Sequence, residues 1–132
     1  MCKCSGQCGC NITSTTKGEK GDASTVASLG YKVYTALLTQ TGTTAPTETV
    51  FQNTLGGVIV WTRNGVGDYI GTLTGAFPVD KTFVFSSSVG NSPADILQFY
   101  KDSVNNVGVL TYSGAASDDI LYYTSVEIRV YP

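Results

Sequence analysis

The sequence predicts an all-β protein: a single antiparallel β-sandwich, jelly-roll-like and of about eight strands, preceded by an extended N-terminal segment. Short runs rich in β-branched and aromatic residues recur from residue 31 onward, and Gly, Pro and Asn-Gly turn signals separate them. No window shows an apolar stripe with the 3.6-residue period of an amphipathic helix. Hydrophobic residues make up 42% of the 132 residues, which is enough for a core.

The chain divides into residues 1–29, a Cys-rich anchor with a short collagen-like linker, and residues 30–132, a β-sandwich head domain. The turn signals in the second part include Asn64-Gly65, a strong hairpin signal. Strands at this spacing are typical of a sandwich or jelly roll. The predicted strands cover residues 31–38, 48–54, 58–63, 68–74, 81–87, 95–101, 106–112 and 121–131.

Side-chain alternation predicts which strands are covered on one face and which on both. In the last strand Tyr122, Thr124, Val126, Ile128 and Val130 alternate with Ser125, Glu127, Arg129 and Tyr131, so one face is buried and the other is wet or partner-facing. Residues 58–61, 33–34 and 83–85 are apolar on both faces, which predicts cover from a loop or from a neighbouring subunit. We therefore expect a place in the core or in a subunit contact for Val58, Val60, Trp61, Val126, Ile128 and Val130.

All four cysteines lie in the first ten residues, at Cys2, Cys4, Cys8 and Cys10. Four thiolates can close a tetrahedral Zn site, although C-x-C pairs alternate direction in an extended chain and fit it imperfectly. Disulfides within or between chains are a second interpretation. Thiols packed against a partner, as an anchor, are the third. Zn is the one cofactor that the sequence suggests.

Two Gly-X-Y triplets, beginning at Gly18 and Gly21, precede the β region. Glycine at every third position is what three polyproline-II chains require around a common axis, so the triplets predict a short stalk of a homotrimer. A flexible linker is the alternative. Residues 1–29 contain few large apolar side chains and cannot repay the entropy of folding alone, so we expect a tether that becomes ordered on a partner.

Composition argues against several classes of function. The chain has no histidine and a formal net charge of −2, and only 14% of its residues are charged. Histidine-based catalysis is therefore excluded, and no basic cluster favours nucleic-acid binding. No apolar run reaches the ~20 residues of a membrane span, and no secretory signal is visible. The adjacent Asp118 and Asp119 are expected to be solvated loop residues, so we expect no enzyme.

Residues 31–132 resemble a small domain of virion proteins from Bacteroidetes-infecting tailed phages, including crAss-like ones. The resemblance lies in the segments YKVYTALLTQTGTTAPTETVFQNTLGG, VIVWTRNGVGDYIGTLTGAF and SVEIRVYP. Gly-X-Y triplets before a β head also resemble the C1q/tumour-necrosis-factor-like trimers, whose jelly rolls end in a strand near the threefold axis.

These resemblances imply a structural virion protein: a trimeric head fibre or decoration protein attached to the capsid, or a small tail fibre component. It would be made in the host cytoplasm, located on the particle surface, and joined through residues 1–29 to the major capsid protein or another virion protein. The alternative is a C1q-like or lectin-like binding module that recognises surface glycans or the host envelope.

Overall fold

A computed structural model describes residues 30–87 and 92–132 as two four-stranded antiparallel sheets. The predicted all-β fold is confirmed, and each predicted strand overlaps an observed one. In the described residues, no helix has the length and apolar character needed to cross a membrane. The strands are β1 (Lys32–Thr39), β2 (Thr47–Asn53), β3 (Val60–Gly65), β4 (Asp68–Thr72), β5 (Thr82–Ser86), β6 (Ile96–Lys101), β7 (Asn106–Tyr112) and β8 (Thr124–Val130).

The strand order places the first and last strands side by side. Sheet A has the order β2-β1-β8-β5 and sheet B has the order β3-β4-β7-β6. The β1–β8 register pairs Lys32 with Val130, so the start and the end of the described domain meet at one end of sheet A. As a result the rings of Tyr31 and Tyr131 lie 5.1 Å apart, centroid to centroid.

The core fills the space between the inner faces of the two sheets. Strand β8 contributes every second residue to it, as the alternation predicts, while β3 contributes Trp61 and β4 contributes Tyr69. Large rings such as these bury much apolar area per residue. The buried core side chains include Tyr34, Ala36, Leu38, Leu55, Ile59, Trp61, Tyr69, Phe77, Val107, Val109, Leu121, Val126, Ile128 and Val130.

Val58 and Val60 are not core residues. They are 69% and 59% exposed, whereas the intervening Ile59 and the following Trp61 point inward and are buried. Only the inner face of sheet B packs against sheet A, so side chains that alternate outward stay in solvent within one subunit. The expected core position of both valines is therefore wrong, and their role in a subunit contact stays a prediction.

Of the two segments of double-sided apolarity in sheet A, residues 33–34 are buried, whereas Phe83 and Phe85 of residues 83–85 are exposed. Val33 and Tyr34 are both buried. Tyr34 points into the core, while the backbone of Val33 is held by Thr54, whose hydroxyl oxygen lies 2.7 Å from the Val33 nitrogen. The residue after β2 thus binds the backbone of Val33, and the Val33 side chain is already buried within one subunit.

Two local predictions differ from the structure. Tyr122 was expected on the inward face of the last strand, but it is 61% exposed because Tyr123 adopts a positive φ of 47° and β8 begins only at Thr124. Asn64-Gly65 was expected to form the hairpin turn. These residues end β3 instead, beside a register irregularity, and Gly67, with φ of 63°, lies in the turn.

The predicted N-terminal features lie outside the described residues. These are the anchor of Cys2, Cys4, Cys8 and Cys10 and the stalk that begins at Gly18 and Gly21. Within the described part, the chain enters sheet A at Gly30, which has a positive φ of 69°.

Candidate interaction surface

The outer face of sheet A carries a cluster of aromatic side chains around one arginine. We call it the aromatic face, and it consists of Tyr31, Phe83, Phe85, Arg129 and Tyr131. Phe83 stacks on Phe85 with ring centroids 6.3 Å apart, and its edge meets Tyr131 at 5.5 Å. Register explains the cluster, because β5 pairs with β8 so that Phe83 opposes Arg129 and Phe85 opposes Glu127.

Arg129 holds the aromatic face together. Its guanidinium carbon lies 5.1 Å from the centroid of Tyr31 and 4.9 Å from that of Phe85, which is cation–π geometry with both rings. Its Nε also donates to the carboxylate of Glu127, and this bond raises the pKa of Arg129. The arginine therefore stays charged, and its charge is balanced on the same surface.

The rings of the aromatic face remain open to solvent although they contact one another. Phe83 is 52% exposed and Phe85 is 46% exposed. Farther across sheet A lies a groove of about 440 Å³, which is lined by Phe85 and by Phe51, a residue that is 68% exposed. Contiguous exposed aromatic area of this kind, with arginine at its centre and polar residues around it, is typical of protein–protein contacts.

A cavity of about 640 Å³ opens next to the aromatic face, at the end of the sandwich where the chain enters. Tyr31 and Tyr131 belong to both features. Leu55 and Leu73 supply apolar lining, and Lys32 and Lys81 supply cations. Among the described residues, no Asp or Glu side chain lines the cavity.

Asp118 is not the solvated loop acid that the sequence suggested. Its two carboxylate oxygens accept hydrogen bonds from Arg63 at 3.1 and 2.7 Å. The Tyr69 hydroxyl lies 2.6 Å from the same carboxylate, and the backbone N–H of Gly67 donates to it at 3.1 Å. This network ties the loop before β8 to the β3–β4 hairpin, which explains the aspartate structurally.

The network shifts the ionisation of its members in opposite directions. Hydrogen bonding from Arg63, with further bonds from Tyr69 and Gly67, holds the pKa of Asp118 well below its usual range. Burial and the Asp118 carboxylate raise the pKa of Tyr69 above its usual range. An aspartate held ionised by an arginine is a poor proton donor at neutral pH.

Within the described residues, no group of three or more His, Cys, Asp or Glu side chains is placed to hold a metal ion. The predicted thiol site lies outside those residues, so this observation does not bear on it. The chain matches no protein-family model, no curated protein and no solved structure.

The sequence located part of the aromatic face. Alternation placed Glu127, Arg129 and Tyr131 on an outward, wet or partner-facing side, and it marked residues 83–85 as apolar on both faces. It did not reveal that Tyr31 and Phe85 lie on either side of Arg129, because that depends on β8 pairing with both β1 and β5. No signal in the sequence links Arg63 to Asp118, 55 positions away.

Proposed function

We propose that this chain is a structural, non-enzymatic virion protein, a homotrimer whose β-sandwich heads are displayed from a particle by residues 1–29. The specific role that we propose is a head fibre or decoration protein on the capsid. A tail fibre component would display the same head from another part of the particle. The aromatic face carries the proposal, because it offers an exposed, ordered contact surface on a thinly charged domain.

The proposed occupant of the aromatic face is a second copy of this chain. Arg129 is paired with Glu127, so this part of the surface can meet its own copy without like-charge repulsion. Nucleic acid or an anionic membrane would require a larger cluster of cations than the neighbouring Lys32 and Lys81 provide.

The position of the Gly-X-Y triplets supports the same occupant. Tyr31, a member of the aromatic face, follows Ala23 by eight residues, a span of at most roughly 29 Å. If three chains associate at the triplets, the three copies of the aromatic face are held close enough to contact one another. The proposed stalk therefore joins the described domain next to the proposed contact surface.

Light scattering on the full chain, in the presence of a reducing agent, tests the trimer. We expect three times the monomer mass of 13.9 kDa. The double variant Phe83→Ser with Phe85→Ser should dissociate at protein concentrations at least tenfold higher than the wild type does. The matched control, Val66→Ser with Val104→Ser, removes exposed valines from turns and should behave as the wild type. A monomeric wild-type chain at micromolar concentration would contradict the trimer.

Particle occupancy tests the proposed anchor. Changing Cys2, Cys4, Cys8 and Cys10 to Ser should leave the unfolding free energy of the sandwich unchanged, because side chains between positions 34 and 130 build its core. The variant should be depleted from purified particles relative to the wild type. Normal decoration by the variant would show that the thiols do not serve as an anchor.

A further inference from the structure

The outer face of sheet B presents a tyrosine ring in an unusual position. Tyr100 on β6 is opposite Gly108 on the neighbouring β7, and its ring lies directly over that glycine. A Cβ at position 108 would meet the Tyr100 Cζ at 2.3 Å and its hydroxyl oxygen at 2.5 Å. The ring can lie against the sheet only because residue 108 has no side chain.

Tyr100 therefore spans the sheet instead of standing away from it. Its hydroxyl reaches across β7 to Asp68 on β4, at 3.5 Å from Oδ1. One face of the ring covers Gly108, which is buried, while the side chain of Tyr100 itself remains partly exposed. The result is a flat aromatic platform held against the sheet, and the partial exposure of Tyr100 leaves part of it open to solvent.

On one side of the platform, polar side chains stand at the two ends of a row that has Leu110 between them. Gln98 and Asp68 are both aligned with Leu110 in the sheet, two residues along the strands from the Tyr100 position and so roughly 7 Å from it. Asn64 donates to Asp68 Oδ2 at 2.6 Å, which fixes the carboxylate. Gln98 is exposed.

A second polar row flanks the other side at the same spacing. Asn106 donates to Asp102 Oδ2 at 3.2 Å and accepts a hydrogen bond from the Thr72 hydroxyl at 3.0 Å. Burial raises the pKa of Tyr100, and the nearby carboxylates of Asp68 and Asp102 raise it further, which is consistent with acids on both sides of the ring.

We propose that this face is a binding site for an uncharged saccharide, with Tyr100 as its stacking platform. A sugar ring stacks its C–H face on an aromatic ring, and its equatorial hydroxyl groups then extend to the two polar rows. Carboxylates accept hydrogen bonds from such hydroxyls, and side-chain amides both accept and donate them. The site is independent of the proposed trimer contact, which lies on the other sheet.

The charge of the surface limits the class of ligand. The carboxylates that act on the platform are those of Asp68 and Asp102, and Tyr112 is a further acidic group near it. An anionic sugar, such as a uronic or sialic acid, would meet like charges at short range. The phosphate backbone of a nucleic acid would be repelled for the same reason. An uncharged saccharide brings hydroxyl donors to these carboxylates and introduces no opposing charge.

An array of immobilised neutral and acidic oligosaccharides, probed with the full chain, tests the site. We expect retention of neutral glycans and no preference for acidic ones. Tyr100→Leu should weaken retention at least tenfold, and Gln98→Ala, which changes an exposed side chain, should weaken it at least threefold. Tyr122→Ala removes an exposed tyrosine elsewhere and serves as the matched control, with retention unchanged.

Three outcomes would overturn the proposal. They are no retention of neutral glycans, a preference for acidic glycans, and retention that a folded Gln98→Ala or Tyr100→Leu variant leaves at the wild-type level. Thermal melting of each variant separates loss of binding from loss of folding. The Gln98 variant keeps the test decisive if Tyr100→Leu does not fold.

Discussion

At the scale of single residues, Trp61 shows how the core is built around large rings. Its indole lies against Gly71, where a Cβ would meet Trp61 Cε2 at 3.1 Å, and its Nε1 lies 3.5 Å from the Tyr34 hydroxyl. Tyr34 in turn donates to Glu48. Gly71 makes room for the indole ring, and the Tyr34 hydroxyl accepts the indole N–H. Trp61 is therefore closely packed, and its one polar group has a hydrogen-bond partner.

Replacing Trp61 with Ala should lower the unfolding free energy by about 3–5 kcal/mol, because the removed ring leaves a cavity in the core. Chemical denaturation of the wild type and the variant measures the difference. Trp61 is also the only tryptophan in the chain, so its fluorescence reports its environment directly. Blue-shifted emission protected from acrylamide is expected, and water-like, readily quenched emission would contradict the packing.

Asp118 makes a residue-scale prediction about pH. Its pKa is depressed in the folded state by Arg63, so its contribution to stability is complete above the unfolded pKa of about 3.9 and declines as the pH falls below that value. Asp118→Asn should lower the unfolding free energy at neutral pH by about 2–3 kcal/mol, since it removes charged hydrogen bonds and leaves Arg63 unpaired.

The control for Asp118 is its neighbour. Asp119 accepts one hydrogen bond from the backbone of Gly42 and adopts a positive φ of 64°. Asn can accept the same bond and tolerates that conformation, so Asp119→Asn should change stability by less than about 0.5 kcal/mol. Denaturant titrations at pH 7 and pH 3 should show the Asp118 effect shrinking in acid. Equal effects of the two substitutions at neutral pH would refute the structural role of Asp118.

At the scale of elements, the β3–β4 hairpin depends on a glycine that two constraints hold in place. Gly67 has φ of 63°, and a Cβ there would approach the Thr111 carbonyl oxygen to 2.5 Å and the Ser117 nitrogen to 2.7 Å. Its own carbonyl accepts the N–H of Thr111 at 2.8 Å. The hairpin turn is thus packed directly against β7 and the loop that carries Asp118.

Comparing the stability of Gly67→Ala with that of Gly75→Ala separates the cost of a strained backbone from the cost of a steric clash. Gly75 has a similar φ of 69° but open space where a Cβ would lie. Gly75→Ala should cost about 1–2 kcal/mol, from the left-handed conformation alone. Gly67→Ala should cost roughly twice as much or more, because backbone atoms must also move. Similar melting temperatures for the two variants would show that the packing against Thr111 and Ser117 is loose.

Elements were more predictable than their interactions. Strand positions follow from local runs and turn residues, and the inward face of β8 follows from alternation. The outward positions of Val58 and Val60 were missed because an apolar run does not say which face another sheet covers. The Arg63–Asp118 pair and the Tyr100–Gly108 contact were missed because each depends on which strands are neighbours, a property of topology that no local pattern encodes.

At the scale of the whole molecule, the two sheets present different outer surfaces. Sheet A exposes phenylalanines around a paired arginine, whereas the outer face of sheet B carries a tyrosine platform between polar rows. This division is what a displayed head requires under our proposal, with one face for sister copies and the other free for a ligand. The central claim is that sister copies meet through the aromatic face.

Site-specific photo-crosslinking tests that claim most directly. A benzophenone amino acid replaces Phe85 in one preparation of the full chain and Val66, in the β3–β4 turn, in a control preparation. We expect chain-to-chain crosslinks from position 85, mapped by mass spectrometry to sheet A of a sister copy, and none from position 66. A trimeric chain that gives no crosslink from position 85 would contradict the aromatic face as the contact, and a monomeric chain would contradict the trimer as well.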